Sequence, residues 1–563
     1  MNRLIEKMFE NRGYSREYVR EINIPNDDVL KDSDVLCARL KELHDSGKLI
    51  VVLPDFDMDG IMAGVVGFAG LAELGFNAAL FIPKPEDGYG FTSDTIMQLL
   101  NDYPDVSCIL TCDVGVTCYE GIMTAKCCGV EVLVTDHHTV LDDFKKKMKA
   151  DVVVDPLRED DDYRLKGICG AYVLYQCLQH YANTYCNPYM QEQIRRLRVF
   201  AGIGTVSDSM PLLHENRQLV RDSVSICRLV YGDGTPWFVN AMLGNDVYRR
   251  AFYGLHVALS MFADLGKISK TQDINEDFFG FYLAPVFNSV KRMGGEMSTA
   301  FGVFFGATPN DCMSDLLALN DQRKLLVADY LEQILNSPQK YAPYVYITDA
   351  PAGILGLLAT KLMGIDGEPK VVLRLDESYH GSGRSPEWYS FATRAIDAGF
   401  FVAGHDKAFG IGITDVRELK SLYAFLAKDV SDVKSGIDMS MYVDIVPDFV
   451  ISTDGTGDTG IDITLFTEYL SELDTLRPFG SGFAAPYIKL EFMAHEGSWK
   501  TLGSTKQHLK VTLPYGFEVL CWNQAAKLDY ADLNSKIVVT GHLDKSEFRG
   551  RHTVNFIGDI LDV

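Results

Sequence analysis

Carboxylates and imidazoles directly follow three apolar segments of this 563-residue chain. The segments end at residues 54, 112 and 135, and the residues that follow them are Asp55, Asp57, Asp59, Asp113, Asp136, His137 and His138. Such groups are costly to bury at strand ends unless something neutralises them. Divalent cations do so, because oxygen and imidazole are their usual ligands. The pattern therefore predicts a site for one or two divalent metal ions and a metal-dependent hydrolase.

Helix capping and calcium binding would each account for fewer of these residues. Aspartates that cap helix N-termini would explain one or two carboxylates, but not the whole set at three neighbouring strand ends. A calcium loop also places acids two residues apart, but the segment after Asp59 lacks the glutamate that an EF-hand requires. A site for divalent cations accounts for the whole pattern.

The elements that must position these residues alternate between strand and helix. Strands are predicted near 49–54, 78–82, 106–112, 131–135 and 151–155, and helices near 60–75, from about 92, and near 119–128. This alternation is typical of a doubly wound parallel sheet. Ligands bind to such sheets outside the carboxyl ends of the strands, which is where the acidic motifs lie.

The rest of the chain divides into distinct patterns. It is mostly helical to about residue 335, and a second α/β alternation then extends from about 345 to 427. Residues 429–474 contain eleven acidic residues and one lysine. Short alternating strands after residue 508 predict a small antiparallel barrel.

Composition limits the classes of protein that are compatible with this chain. The net charge of −24 argues against a protein that coats duplex DNA with basic residues, but not against a locally basic groove. No signal peptide or membrane span is predicted. The 12 cysteines include no CxxC pair, so reduced thiols in a cytoplasmic protein are favoured over disulfides or a zinc knuckle.

The motifs resemble those of a known superfamily. Residues 55–60 (DFDMDG) together with 136–138 (DHH) are similar to the signature of the DHH phosphoesterases. Five further segments resemble, in order, motifs of the RecJ family of single-strand-specific exonucleases: 83–90 (PKPEDGYG), 204–217 (GTVSDSMPLLHENR), 381–385 (GSGRS), 404–410 (GHDKAFG) and 476–482 (LRPFGSG). The resemblance covers roughly residues 48–563.

The resemblance implies an α/β protein with a doubly wound DHH domain, a second α/β domain of the DHHA1 type and an OB-fold. The expected boundaries are 1–230 for the DHH catalytic domain, 231–335 for a helical connector, 336–428 for the DHHA1 domain, 429–475 for an acidic connector and 476–563 for the OB-fold.

The resemblance also implies roles for the acidic motifs. Two Mn²⁺ ions, with Mg²⁺ as the alternative, are expected to be held by Asp55, Asp57, Asp59, Asp113, His137 and Asp208. Asp113 is expected to bridge the two ions, and Asp136 is expected to orient the imidazoles. His138 is expected to donate to the phosphate in the transition state, although a packed histidine bonded to a carbonyl is the alternative.

Substrate contacts are implied by the later motifs. The residues expected at the 5′-terminal phosphate and the strand are Lys84, Arg292, Ser382, Arg384, Ser385 and His405. Without the family, the Gly-Ser-Gly-Arg-Ser segment would be an ordinary turn. Trp522, Phe548 and Arg549 are expected to hold single-stranded bases by stacking, with core packing as the alternative for each aromatic ring.

Four departures from the family pattern concern phosphate binding. Lys84 stands where arginine is usual, Val114 where asparagine is usual, Val286 where arginine is usual and Ala403 where glycine is usual. Lysine binds phosphate through a compact ammonium charge, whereas arginine offers a planar guanidinium that can bind two phosphate oxygens at once. These changes put phosphate affinity and strand preference in question, but they remove no metal ligand.

The expected function is a metal-dependent exonuclease that degrades single-stranded DNA from the 5′ end to mononucleotides in repair, recombination or replication. The expected partners are single-stranded DNA and a single-strand-binding protein or helicase, and a monomer is expected. The alternative is a phosphodiesterase that acts on short oligoribonucleotides or cyclic dinucleotides. A non-enzymatic replication scaffold and a pyrophosphatase are further rivals.

Overall fold

The computed structural model describes residues 2–26, 28–82, 91–139, 149–232, 243–437, 446–503, 506–525, 527, 532, 534–548 and 551–562. The chain forms two compact units. One unit is Pro25–Asp438, and the other combines Met1–Ile24 with Met439–Val563.

The helices and strands are numbered in chain order. The helices are α1 (Arg3–Asn11), α2 (Arg16–Glu21), α3 (Ser33–Asp45), α4 (Met58–Glu73), α5 (Ser93–Asp102), α6 (Tyr119–Cys127), α7 (Gly170–Tyr185), α8 (Pro188–Arg196), α9 (Arg198–Ser207), α10 (His214–Tyr231), α11 (Asp246–Asp264), α12 (Glu276–Phe278), α13 (Ala284–Phe287), α14 (Ser289–Met293), α15 (Met297–Phe305), α16 (Pro309–Asn336), α17 (Leu355–Asp366), α18 (Phe391–Asp397), α19 (Val416–Gly436) and α20 (Ile463–Leu473). The strands are β1 (Leu49–Pro54), β2 (Ala78–Leu80), β3 (Val106–Cys112), β4 (Glu131–Thr135), β5 (Val152–Val154), β6 (Val345–Thr348), β7 (Lys370–Leu375), β8 (Tyr379–Arg384), β9 (Phe401–His405), β10 (Ala408–Ile413), β11 (Phe449–Ser452), β12 (Ile488–Met493), β13 (Ser498–Leu502), β14 (His508–Thr512), β15 (Glu518–Cys521), β16 (Lys536–Phe548) and β17 (Arg551–Asp562).

A five-stranded parallel sheet lies at the centre of the larger unit, with the strand order β2-β1-β3-β4-β5. The predicted doubly wound sheet is therefore confirmed. β1, β3 and β4 are buried along almost their whole length, as expected when helices cover both faces. The strand order reverses between β1 and β3, and doubly wound sheets bind ligands beyond the carboxyl ends of the strands at such a point.

Helix α4 connects the first acidic motif to the core. It is apolar on nearly every side, which marks a helix enclosed by other elements. An added Cβ at Gly67 or Gly70 would press on Leu174 or Leu178 of α7, so these glycines let the two helices pack closely. The start of α4 is therefore fixed between the sheet and α7.

The remainder of the larger unit agrees with the predicted sequence of elements. The chain is largely helical from α7 to α16, which has 28 residues. A second sheet follows, with the order β6-β7-β8-β10-β9. β6 and β7 are parallel and the other pairs are antiparallel.

The smaller unit contains a seven-stranded sheet with the order β11-β12-β16-β17-β15-β14-β13. It is mainly antiparallel, as predicted, although β11–β12 and β15–β17 pair in parallel. β11 and α20 lie in the segment that the sequence predicted to be an acidic connector, and their apolar residues belong to this core. The segment is thus more structured than its charge suggested.

Helix α1 also differs from the sequence-based expectation, which placed it in the first domain. Its apolar residues Leu4, Ile5, Met8 and Phe9 pack in the core of the smaller unit. Arg12 adds a two-pronged ion pair, with its Nε 2.5 Å and Nη2 2.6 Å from the Asp448 carboxylate. The apolar spacing predicts a helix with one buried face, but no local feature identifies the face that it covers.

In the described segments, no helix is both long and apolar enough to cross a bilayer.

Candidate active site

Backbone hydrogen bonds position the first carboxylate after each of three central strands. The amides of Asp55, Asp113 and Asp136 donate to the carbonyls of Cys112 (3.1 Å), Thr135 (2.9 Å) and Val154 (3.1 Å), respectively. These bonds extend the parallel ladder by one residue beyond each strand. The three side chains therefore begin at adjacent points along the edge of the sheet.

Three carboxylates from separate elements surround one imidazole nitrogen. His137 Nε2 lies 3.0 Å from Asp113 Oδ1, 3.6 Å from Asp208 Oδ2 and 3.8 Å from Asp59 Oδ2. Asp59 and Asp113 are buried, whereas Asp208 at the end of α9 is partly exposed. Three carboxylate oxygens and an imidazole form a donor set that suits a divalent cation.

A second donor group lies beside the first. Ligand atoms of Asp55, Asp57 and Asp113 fall within 4.8 Å of one another, as do those of Asp59, His137 and Asp208. Asp113 also groups with His137 and His138. Its Oδ1 is buried and, although His137 Nε2 lies 3.0 Å away, accepts no hydrogen bond of suitable geometry from any described residue. The arrangement therefore fits two neighbouring cations, with Asp113 placed to contact both.

The electrostatics of the cluster favour a bound cation. Burial raises the pKa of Asp55 to about 6 and that of Asp208 to about 8, and neighbouring carboxylates add to both shifts. Burial likewise raises the pKa of Asp59, and that of Asp113 well above its usual range. Carboxylates packed together without a cation favour protonation, and a bound cation reverses this preference.

Helix N-termini and glycines hold the carboxylates in place. Asp57 Oδ1 accepts from the amides of Asp59 and Gly60 and so caps α4. Asp59 Oδ2 accepts from Gly170 N (2.7 Å) at the start of α7. Side chains at Gly170 and Gly204 would clash with Asp113 and Asp59, respectively. Asp57 and Asp59 therefore bind helix N-termini and still belong to the donor groups.

Asp113 has a backbone conformation that is rare for a residue with a side chain. Its φ is +66°, and Gly115 follows with a φ of +137°. Non-glycine residues with positive φ are strained and concentrate at functional sites. The turn after β3 thus holds Asp113 in an unfavourable backbone conformation that directs its carboxylate into the cluster.

Asp136 and His138 form a charged pair beside the cluster. Asp136 Oδ1 lies 2.8 Å from His138 Nδ1 and also accepts from the amide of His137, while Oδ2 accepts from Val116 N. The bond to Asp136 raises the pKa of His138 to about 9 despite partial burial. Burial opposes ionisation of Asp136, but the bonds from His138 and the backbone outweigh it and lower the pKa of Asp136.

Asp155 is a second buried carboxyl group behind this pair. It follows β5, is fully buried, and its Oδ1 accepts from Leu157 N (2.7 Å). Its Oδ2 has no hydrogen-bond partner in the described part of the chain. Burial and the charge of Asp136 raise the pKa of Asp155 to about 7. Near neutral pH, Asp136 is therefore ionised, whereas Asp155 is largely protonated below pH 7.

We expect Asp155→Asn to stabilise the metal-free protein at alkaline pH. A carboxyl with a pKa of about 7 in the folded state and an ordinary value of 3.8 when unfolded favours folding only while it is protonated. That contribution falls as the pH rises from about 4 and is lost above about 7. At pH 8 the variant should have the larger free energy of unfolding, by up to about 4 kcal/mol. Denaturant unfolding in chelator at pH 5 and pH 8 measures this, and an equal difference at both values would contradict it.

Three arginines come together, and one of them, Arg292, interacts electrostatically with Asp57 of the acidic cluster. They are Arg292 on α14, Arg323 on α16 and Arg384 at the end of β8. Arg384 Nη1 donates to Gly383 O and Arg323 Nη2 donates to Asn320 Oδ1, both at 2.8 Å. Burial lowers the pKa of all three, and the charges of Arg323 and Arg384 lower that of Arg292 further. No described carboxylate lies within ion-pair distance of them, so the cluster suits an anion.

Of the other predicted substrate residues, one lies near the arginines, one is buried, and two have side chains outside the described residues. Ser382 lies on β8 near Arg384. Ser385 is buried and its hydroxyl donates to Tyr389 O, a structural role that leaves it unavailable to substrate in this conformation. His405 ends β9, but its side chain is outside the described part. Lys84 also lies outside the described residues.

The predicted stacking residues are in the smaller unit. Trp522 is 48% exposed and meets His508 edge to face, with ring centroids 5.0 Å apart. Trp499, by contrast, donates to Ala494 O and packs against the core. Phe548 ends β16, but its side chain, like Arg549 as a whole, lies outside the described residues.

Sequence reasoning missed three residues at these sites. Arg323 lies within a long helix and belongs to no motif. Asn288 Oδ1 accepts a hydrogen bond from the backbone N–H of Met58 (2.8 Å). Met58 lies in sequence between two predicted metal ligands, Asp57 and Asp59. Asp155 follows a strand, as the recognised aspartates do, so the same strand-end pattern could have identified it. Val114 and Val286 are buried and contribute to apolar cores.

Comparison with protein-family models identifies two regions. The model of the DHH family, N-terminal domain, matches residues 49–203, and the model of the RecJ OB domain matches residues 459–558. The first match includes the acidic residues at the sheet edge up to His138. The chain therefore contains a DHH-family domain and a RecJ OB domain.

Curated relatives and solved structures show a similarity that extends over most of the chain. The single-stranded-DNA-specific exonuclease RecJ of Bacillus subtilis is 24% identical over 547 residues, which cover 91% of this chain but 61% of the relative. That of Thermus thermophilus is 26% identical and covers 91% of this chain and 70% of the relative. A crystal structure of T. thermophilus RecJ in complex with Mn²⁺ matches all of this chain and 76% of its own with a TM-score of 0.69 at 22% identity, which establishes the shared fold.

Proposed function

We propose that this chain is a metal-dependent exonuclease that degrades single-stranded DNA from the 5′ end to mononucleotides. The observation that carries the proposal is the grouping of Asp113 with two neighbouring sets of metal-ligand donors. A cluster of three arginines, of which Arg292 interacts electrostatically with Asp57, supports a substrate with a terminal phosphate. The chain spans about three fifths of the length of its B. subtilis relative, so the activity of the complete relative is itself part of the proposal.

We assign the metal ligands to Asp55, Asp57, Asp59, Asp113, His137 and Asp208. Mn²⁺ is the proposed cofactor and Mg²⁺ the alternative, as in crystal structures of RecJ with each ion. When bound, such ions supply the charge neutralisation and nucleophile activation that phosphodiester hydrolysis requires.

The protein's own residues would orient the substrate and stabilise its charge. Asp136 holds the His138 ring through Nδ1, which leaves Nε2 to donate to a phosphate oxygen. The protonated His138 ring would stabilise the negative charge that develops on the phosphoryl group. Arg292, Arg323 and Arg384, with Ser382, would bind the terminal phosphate and so fix where the strand begins.

The proposal also includes a role for the smaller unit in binding the strand and a cellular location. Trp522 would stack on a base of the bound strand, as exposed rings do in OB-folds. A cytoplasmic monomer that works with a single-strand-binding protein or helicase remains the prediction.

A digestion assay tests the function directly. Oligonucleotides of DNA and RNA labelled at the 5′ or 3′ end, and a dinucleotide, would be incubated with Mn²⁺ or Mg²⁺. The proposal expects early release of labelled mononucleotide from 5′-labelled single-stranded DNA. Faster turnover of the dinucleotide than of long DNA would favour the short-oligonucleotide phosphodiesterase instead.

The arginine cluster leads to a prediction about the terminal phosphate. Arg323→Ala should raise KM for 5′-phosphorylated DNA about tenfold or more, because charge-assisted hydrogen bonds contribute roughly 1.5–3 kcal/mol each. KM for the same DNA with a 5′-hydroxyl should change little. Arg249→Ala, at an exposed ion pair on α11, is the matched control. Equal effects of Arg323→Ala on both substrates would argue against a phosphate contact.

A further inference from the structure

An exposed aromatic pair lies on the helical run that also carries Arg292. The run extends from Glu276 to Met293 through α12, a π-helical turn at Phe279–Leu283, α13 and α14. Phe281 is 76% exposed and its neighbour Tyr282 is 40% exposed. A π-helical turn is rare and occurs frequently at functional sites.

The run contacts the candidate active site on two sides. Gly280, next to Phe281, lies against Val206 of α9, two residues before Asp208. Asn288 contacts Met58 of the first acidic motif. The π-helical turn is therefore adjacent to the helix that ends in one predicted metal ligand, and the following turns touch the loop that carries two others.

The spacing of partly exposed residues indicates a single face. Phe281, Pro285, Asn288 and Arg292 are separated by four, three and four residues, while the residues between Leu283 and Val290 that do not belong to this series are buried. Residues at such intervals share one side of a helix. The face thus presents, in order, an aromatic ring, a contact to the metal loop and a phosphate-binding cation.

We infer that Phe281, supported by Tyr282, is a stacking platform for an unpaired base of the strand whose end lies at Arg292. This inference rests on the proposed function and extends it to a base-binding position within the larger unit. Tyr282 is held by packing against Phe278 and by Lys267 Nζ, 5.4 Å from its ring centroid. Phe281 therefore projects from a supported turn, and an exposed ring can stack on any base without sequence preference. Stacking requires an unpaired base, which links this position to single-stranded substrates.

The test is a double-mutant cycle on binding of 5′-phosphorylated single-stranded DNA, measured by fluorescence anisotropy in Ca²⁺. Phe281→Ala should weaken binding about five- to 150-fold, the usual range for loss of one stacked base. Phe281→Trp should retain affinity, and Tyr189→Ala, which removes a ring that is 54% exposed on α8, should have no effect.

The second arm of the cycle uses DNA with one abasic site at each of the first several positions in turn. At one position the abasic site should weaken binding to the unsubstituted protein but add nothing to the effect of Phe281→Ala, because both remove the same contact. Penalties that add at every position, or unchanged binding of the alanine variant, would overturn the inference. Digestion of DNA by the unsubstituted protein is measured separately, so failure of the proposed nuclease activity is distinguishable from failure of the stacking position.

Discussion

Asp113→Asn is expected to lower kcat for Mn²⁺-dependent DNA hydrolysis by about 10³-fold or more, equal to roughly 4 kcal/mol in the barrier. Asp113 belongs to two of the three groups of donor atoms, one with Asp55 and Asp57 and the other with His137 and His138. Asparagine keeps the shape but offers a neutral oxygen and a donor in place of a charged ligand. Loss of this one charge should therefore weaken both cation positions together.

The same substitution should stabilise the protein when metal is absent. Burial and neighbouring carboxylates raise the pKa of Asp113 well above its usual range, so its ionised form opposes folding at neutral pH. Thermal unfolding in chelator should show a higher midpoint for Asp113→Asn, whereas added Mn²⁺ should stabilise only the unsubstituted protein. Asp102→Asn, at the exposed end of α5, is the control for removing a charge. Hydrolysis that survives Asp113→Asn would refute the assignment of the metal site.

His138→Ala is the second substitution with a large expected effect, a loss of about 10²- to 10³-fold in kcat. His138 is tied to Asp136 through Nδ1, and its side chain is half exposed beside the buried cluster. A cationic donor at this position acts mainly on the charge that develops in the transition state. KM should therefore change much less than kcat.

Measuring stabilisation by Mn²⁺ distinguishes a phosphate donor at His138 from a metal ligand at the same position. Stabilisation by Mn²⁺ should be retained in His138→Ala and lost in His137→Ala, because His137 Nε2 is the nitrogen among the carboxylates. His44→Ala, at a surface pair with Asp45, serves as the control. If His138→Ala abolished the stabilisation by Mn²⁺, the assignment of His138 to the phosphate would be wrong.

The central sheet was predictable from sequence because its signals are local. Each of β1, β3 and β4 is a short apolar run that ends in a carboxylate, and parallel strands bring those ends to one edge. The grouping of Asp55, Asp113 and Asp136 therefore follows from strand order alone. Asp208 came only from the resemblance, since it ends a helix far along the chain and no pattern in its neighbourhood predicts where it lies.

Other features depend on contacts between segments that are distant in sequence. Helix α1 has a clear apolar face, but its packing against β11 and α20 could not be deduced from that face. Arg323 is one charged residue among many on α16, and its significance arises only when Arg292 and Arg384 lie beside it. The acidic composition of residues 429–474 likewise concealed α20, although the helix itself is mainly apolar and carries only two glutamates.

The backbone bonds that extend the sheet past β1, β3 and β4 restrict which changes in chain length are compatible with activity. Successive side chains of a strand point to opposite faces, so one residue inserted into β3 would turn Asp113 to the wrong side or break its bond to Thr135. Insertions in the connecting segments carry no such penalty where they lie away from the site residues Asp57, Asp59, His137 and His138. Natural variants of this protein should therefore differ in length in the connecting segments while these three strands remain constant, residue for residue.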